Sequence, residues 1–107
     1  MLSVRIVHIH PDKIERLRSW MHGLRDRMDE VRATFAQEGV HHEIAWLVQG
    51  QDGPIMVYAV EVDDPEAARR AHESSTLPID LEYRQVMQEV TAGPAVTEKI
   101  YECTLSR

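Results

Sequence analysis

Residues 2–10 (LSVRIVHIH) alternate between two faces, with Val4, Ile6 and His8 on one and Arg5, Val7 and Ile9 on the other. The period of two and the β-branched content predict a strand. Pro11-Asp12 stops it and opens a helix, with Asp12 as the expected N-cap. From there Ile14, Leu17, Met21, Leu24, Met28, Val31 and Phe35 recur at steps of three and four, the stripe of an amphipathic helix. Gly23 interrupts the stripe at a cost of about 1 kcal/mol relative to alanine. The pattern therefore allows a kink between Gly23 and Asp29 or one long helix, with Gly39 as the stop in either case.

Residues 40–49 (VHHEIAWLVQ) alternate again. Val40, His42, Ile44, Trp46 and Val48 share one face; His41, Glu43, Ala45 and Leu47 share the other. Gly50-Gln51-Asp52-Gly53-Pro54 is a turn, and so short a loop joins residues 40–49 to a third strand, 55–62 (IMVYAVEV), as an antiparallel hairpin. Asp63-Asp64-Pro65-Glu66 starts a helix over 65–74, with an Asp cap and Pro at the first helical position. After the break at 74–78, residues 79–90 predict a further helix with Ile79, Tyr83, Val86, Met87 and Val90 on one side. Ala92-Gly93-Pro94-Ala95 ends it, and the alternation in 96–104 (VTEKIYECT) predicts the last strand.

The order β-α-β-β-α(α)-β is that of the α+β, ferredoxin-like split-βαβ arrangement: an antiparallel sheet with helices on one face. Residues 1–107 fit one such domain. The second sheet face would carry Val7, Ile9, Ala45, Leu47 and Tyr101, or the complementary set, with no helix left to cover it. That unmet burial predicts a homodimer. Whether the dimer closes a barrel is not set by the pattern.

Composition narrows the function classes. The net charge of −6 opposes nucleic-acid binding, which depends on clustered Lys and Arg. The basic residues Lys13, Arg16, Arg18, Arg25, Arg27 and Arg32 are interleaved with acids and read as a solvated helix face. The lone Cys103 allows no intrachain disulfide, which fits a reducing cytoplasm. No secretory leader is apparent, and no apolar run reaches the roughly 20 residues of a membrane span.

Several segments resemble a bacterial family of about one hundred residues within the dimeric α/β-barrel superfamily. They are PDKIERLRSW on the first helix, EGVHHEIAWL after it, the hairpin DGPIMVYAVEVDD, and SSTLPIDLEYR linking the last two helices. The resemblance covers residues 12–88 and implies the fold without an activity. Two better-known branches share the layout: cofactor-independent antibiotic-biosynthesis-type monooxygenases and L-rhamnose mutarotases. The mutarotase pattern implies a Tyr and a His one turn apart on the first helix. Here those positions fall near Leu17 and Met21, with His22 one residue off, so mutarotase activity is not expected.

Candidate chemistry rests on polar residues that interrupt the strands. Six histidines raise the question of a metal, but no H-x-x-x-H, H-E-x-x-H or Cys-His pattern occurs, so neither a metal site nor a cofactor is expected. If residues 48 and 55 pair across the turn, His42 meets Glu61, either as an acid–base pair or as a structural ion pair. Glu43 with Tyr58 is the rival pair on the opposite face, and one residue of register exchanges the two. His42, Glu43 and Tyr58 are thus the catalytic candidates. His8, Glu61, Tyr83 and Trp20 are the candidate ligand contacts. Trp46 is read as a packing residue. The absence of G-x-G-x-x-G, P-loop and G-x-S-x-G motifs excludes nucleotide hydrolysis and serine-hydrolase chemistry. Three functions remain open: a small homodimer binding an organic ligand between sheet and helices, a cofactor-independent monooxygenase-like or isomerase-like enzyme, and a protein-interaction module.

Overall fold

In the computed structural model, which describes residues 1–105, the alternating segments pair into one antiparallel sheet ordered β2-β3-β1-β4. β1 spans Leu2–Ile9, β2 Val40–Gly50, β3 Gly53–Val62 and β4 Thr91–Pro94. The helices are α1 (Ile14–Gly23), α2 (Met28–Glu38), α3 (Pro65–Ser74) and α4 (Pro78–Val90). This is the expected ferredoxin-like order, with each crossover helix broken in two.

Hairpin geometry sets the faces. Gly50 lies opposite Gly53, which leaves Gln51-Asp52 as a two-residue turn and places Val48 opposite Ile55. That register, with the β1–β3 pairing, stacks Ile44–Ala59–Val4, Trp46–Val57–Ile6 and Val48–Ile55–His8 in rows on one face. Glu43–Val60–Ser3, Ala45–Tyr58–Arg5 and Leu47–Met56–Val7 form the rows of the other. Helices cover the second set. Val7, Ile9 and Met56 are buried against Leu17 of α1 and Val86 and Val90 of α4. Val7 and Ile9 are therefore core residues, and the uncovered face carries the complementary set. On it Val4, Ile44, Trp46 and Val48 are 52%, 42%, 61% and 44% exposed, so Trp46 does not pack within its own chain as expected.

Helix boundaries follow backbone chemistry. The apolar stripe breaks where Gly23 stands: α1 ends there, Leu24–Arg27 forms a 3-10 turn, and α2 begins at Met28. Gly39 closes α2 in the left-handed conformation at φ 72°, its N–H bonded to the Phe35 carbonyl. Asp64 caps α3 as predicted, accepting from the N–H groups of Glu66 and Ala67 at 3.0 and 3.3 Å. Asp12 does not cap α1. Pro11–Lys13 turns first as a 3-10 helix, the Lys13 N–H bonding the His10 carbonyl at 2.9 Å, and no side chain caps either start.

The last strand is also displaced from its expected place. α4 runs directly into β4, with Thr91 opposite Ile9, Gly93 opposite His8 and Pro94 opposite Val7 across a bulge. Pro94 lacks an N–H, yet β4 is an edge strand, where one side of the backbone needs no partner. The Ala95 N–H still reaches the Ile6 carbonyl at 3.0 Å. Residues 96–104, read from sequence as the strand, have no regular structure, and Val96, Ile100 and Tyr101 are exposed.

Candidate functional site

α2 buries none of its residues, because its apolar side roofs a hollow rather than the sheet. Between that roof and the β2–β3 half of the sheet lies a cavity of about 510 Å³. Ala45, Leu47, Met56, Glu43 and Tyr58 form its floor, since the inner rows of the hairpin point that way. Leu17, Met21, Leu24, Val31 and Ile79 supply apolar walls from the helices. Basic groups also line it, Arg18 and His22 of α1 and Arg25 after it, and the other polar groups include Glu38 at the end of α2, His72 on α3, and Asp80 and Tyr83 on α4. A smaller cavity of about 280 Å³ shares Glu38, Tyr58, His72 and Tyr83 with the first.

The Tyr58 hydroxyl donates to the Glu43 carboxylate. The two residues are diagonal neighbours, Glu43 lying opposite Val60 and Tyr58 opposite Ala45, within reach of a long side chain. Burial pushes the Glu43 carboxyl above the ordinary range. The Tyr58 hydrogen bond opposes that rise, while the charges of Glu38 and Asp80 add to it. Burial, and then the Glu43 charge, raise Tyr58 well above an ordinary phenol, so it remains a donor. Tyr83 is raised mainly by burial.

Opposite this pair, His72 Nδ1 lies 3.5 Å from Asp80 Oδ1 and 3.7 Å from Glu38 Oε2. At such lengths the contacts are electrostatic more than hydrogen-bonded. The Glu38 carboxylate raises His72 above an ordinary imidazole against partial burial, and Asp80 adds to the rise. Asp80 is only 5% exposed, and Gln37 Nε2 donates to its Oδ2 at a long 3.4 Å.

Of the residues singled out from sequence, Glu43, Tyr58 and Tyr83 line the cavity. His42 does stand opposite Glu61, but on the uncovered face, where both are exposed. Glu61 instead pairs with the N-terminal ammonium at 2.6 Å. His8 is exposed on the same face. Trp20 packs against the core with Arg27 5.7 Å from its ring, away from the cavity lining. Glu38, His72 and Asp80 were not among the candidates. The available signal was an acid on an apolar helix face: Asp80 shares a side of α4 with Tyr83, and Glu38 continues the stripe of Val31 and Thr34.

Residues 2–106 match the model of a family of unknown function, DUF6176. The chain belongs to DUF6176. No curated protein matches it. Two solved structures resemble this DUF6176 chain over nearly their whole length. Rv0793 from Mycobacterium tuberculosis is 19% identical, with 94% of this chain and 97% of that chain covered at a TM-score of 0.53. A putative antibiotic biosynthesis monooxygenase from Bacteriodes thetaiotaomicron is 16% identical, with 99% and 95% covered at a TM-score of 0.52. At these identities the likeness carries the α+β, ferredoxin-like fold to the DUF6176 chain and nothing of its neighbours' activity. Among the described residues no helix is long and apolar enough to cross a membrane.

Proposed function

We propose that the cavity between sheet and helices binds a small, mostly apolar organic molecule whose polar end docks at Glu43 and Tyr58. The observation that carries this reading is the Tyr58–Glu43 hydrogen bond on the floor of a cavity of about 510 Å³ that also has apolar walls from Leu17, Met21, Leu24, Val31 and Ile79. Binding sites commonly have this make-up: apolar area for affinity, a few converging polar groups for orientation. The test is a thermal-shift screen of planar aromatic compounds bearing hydroxyl or carbonyl groups, since ligands of the native state raise the melting temperature. Hits should bind one per chain and be weakened by Glu43→Gln. They should be lost in Ala45→Phe, which fills the floor beside Tyr58. Equal binding to Ala45→Phe would place the ligand elsewhere and refute the proposal.

The protein is proposed to act as a homodimer. The support is the uncovered sheet face, whose apolar rows are bounded by His42, Glu61 and His8. An apolar centre with a polar rim is the usual make-up of a protein interface, and a second copy offers an identical face.

A second reading, catalysis without cofactor, is favoured by one observation: burial lifts the Glu43 carboxyl toward the range of a useful general base. Glu43 would take a proton from an acidic C–H or O–H of the ligand while Tyr58 donates a hydrogen bond to the resulting oxyanion. This reading predicts that a confirmed ligand exchanges deuterium or is turned over, and that Glu43→Gln, saturated with that ligand, loses the reaction.

A further inference from the structure

Glu38, His72 and Asp80 come from three helices and converge on one spot in the cavity wall, with donor atoms all within 4.8 Å of one another. We propose that they form a binding site for one divalent transition-metal ion of the zinc class, with its remaining coordination positions facing the cavity. This site is separate in kind from the organic-ligand reading and is tested without any organic ligand.

The spacing is the first support. Two donors each about 2.1 Å from a tetrahedral ion stand roughly 3.4 Å apart. His72 Nδ1 lies 3.5 Å from Asp80 Oδ1 and 3.7 Å from Glu38 Oε2, close to that value and longer than good hydrogen bonds. Ions prefer such a set for reasons of charge as well. Glu38, Glu43 and Asp80 bring three carboxyl groups near one another, and Arg84, the cationic side chain whose charge acts on His72, is turned to backbone carbonyls. Its guanidinium donates to the carbonyls of His72 at 2.5 Å, Glu73 at 3.3 Å and Ser75 at 3.1 Å. A buried, weakly partnered carboxylate such as Asp80 is costly unless a cation neutralises it.

The surroundings hold the donors in place, as the outer shell of a metal site does. Arg84 ties down the end of α3 that carries His72. Tyr83 meets the His72 ring edge-on at 5.6 Å and fixes its plane. Gln37 engages the Asp80 oxygen that does not face His72. One imidazole with two carboxylates suits Zn²⁺ and its neighbours better than Mg²⁺ or Ca²⁺, which favour oxygen alone. The rival account is a metal-free cluster in which protonated His72 bridges the two acids.

The test uses the full chain, stripped with chelator and titrated with Zn²⁺ and with Co²⁺, whose visible absorption reports coordination. One ion per chain is expected, with a raised melting temperature and with no competition from a large excess of Mg²⁺. Both His72→Gln and Glu38→Gln should weaken binding by at least roughly tenfold, while His41→Gln, at the irregularity in β2 where its exposed ring meets Asp63, leaves it unchanged. Circular dichroism identifies which variants fold. If His72→Gln does not fold, Glu38→Gln decides alone. Failure of stoichiometric binding by the native chain overturns the site, as does unchanged binding by a folded Glu38→Gln variant. Either result leaves the metal-free cluster as the account.

Discussion

Glu43 shows how one residue couples burial to pH. Its carboxyl group faces Tyr58 on β3, with the acids Glu38 of α2 and Asp80 of α4 adding negative potential. Folding raises its affinity for a proton. Its contribution to stability is therefore full below the unfolded carboxyl value, about 4.3, and is lost as pH rises through the higher folded value. Glu43→Gln keeps an oxygen for Tyr58 and removes the ionisation. The variant should gain stability relative to the native chain between pH 4 and pH 8, followed by urea unfolding in chelator-treated buffer. A difference that does not change with pH would mean that burial leaves this carboxyl unperturbed. Tyr58→Phe acts in the opposite direction: it removes the donor and leaves the carboxylate short of a partner. A loss of about 1–3 kcal/mol at neutral pH is expected in the same unfolding measurement.

At the scale of elements, two glycines with similar positions in the sequence pattern carry opposite consequences. Gly39 has φ 72°, and a Cβ there would meet Asp63 Oδ2 at 3.2 Å. Gly39→Ala should cost about 1–2 kcal/mol for the left-handed backbone, before any cost of displacing Asp63. Gly23 has helical dihedrals, and a Cβ there would meet nothing within 4 Å. Gly23→Ala should stabilise the chain by about 0.4–1 kcal/mol. Thermal melts of the two variants check both signs. The stop at Gly39 was legible because glycine acts locally, and so was the Asp64 cap, whereas the break at Gly23 was one of two readings the stripe allowed. Asp12 misled because Pro11 favoured a 3-10 turn that moved the start of α1 past it. The short strand β4 misled for a different reason. Thr91-Ala92-Gly93-Pro94 has turn chemistry, and only its position on an edge beside β1 makes it a strand.

At the scale of the whole molecule, alternation showed that the sheet has two apolar faces but could not say which one the helices take. The helix packing made that choice, burying Val7, Ile9 and Met56 against Leu17, Val86 and Val90, and so it places Glu43 and Tyr58 inside and His42 and Glu61 outside. Glu38, His72 and Asp80 were hidden because their convergence depends on how three helices rotate against one another, which no local period encodes. The face left uncovered yields the last prediction. Ile44–Ala59–Val4 and Trp46–Val57–Ile6 form a continuous apolar centre on β2, β3 and β1 with no charged side chain in either row. Val4 and Trp46 lie at opposite ends of this centre, and both are more than half exposed, at 52% and 61%. Their removal should therefore break association without disturbing the core. Light scattering should give a dimer for the native chain at micromolar concentration and a monomer for the doubly substituted Val4→Glu, Trp46→Glu chain. Both should have the same circular dichroism spectrum. A native chain that scatters as a monomer would refute the dimer. A folded double variant that remains dimeric would move the interface to another surface, leaving these rows exposed without a partner.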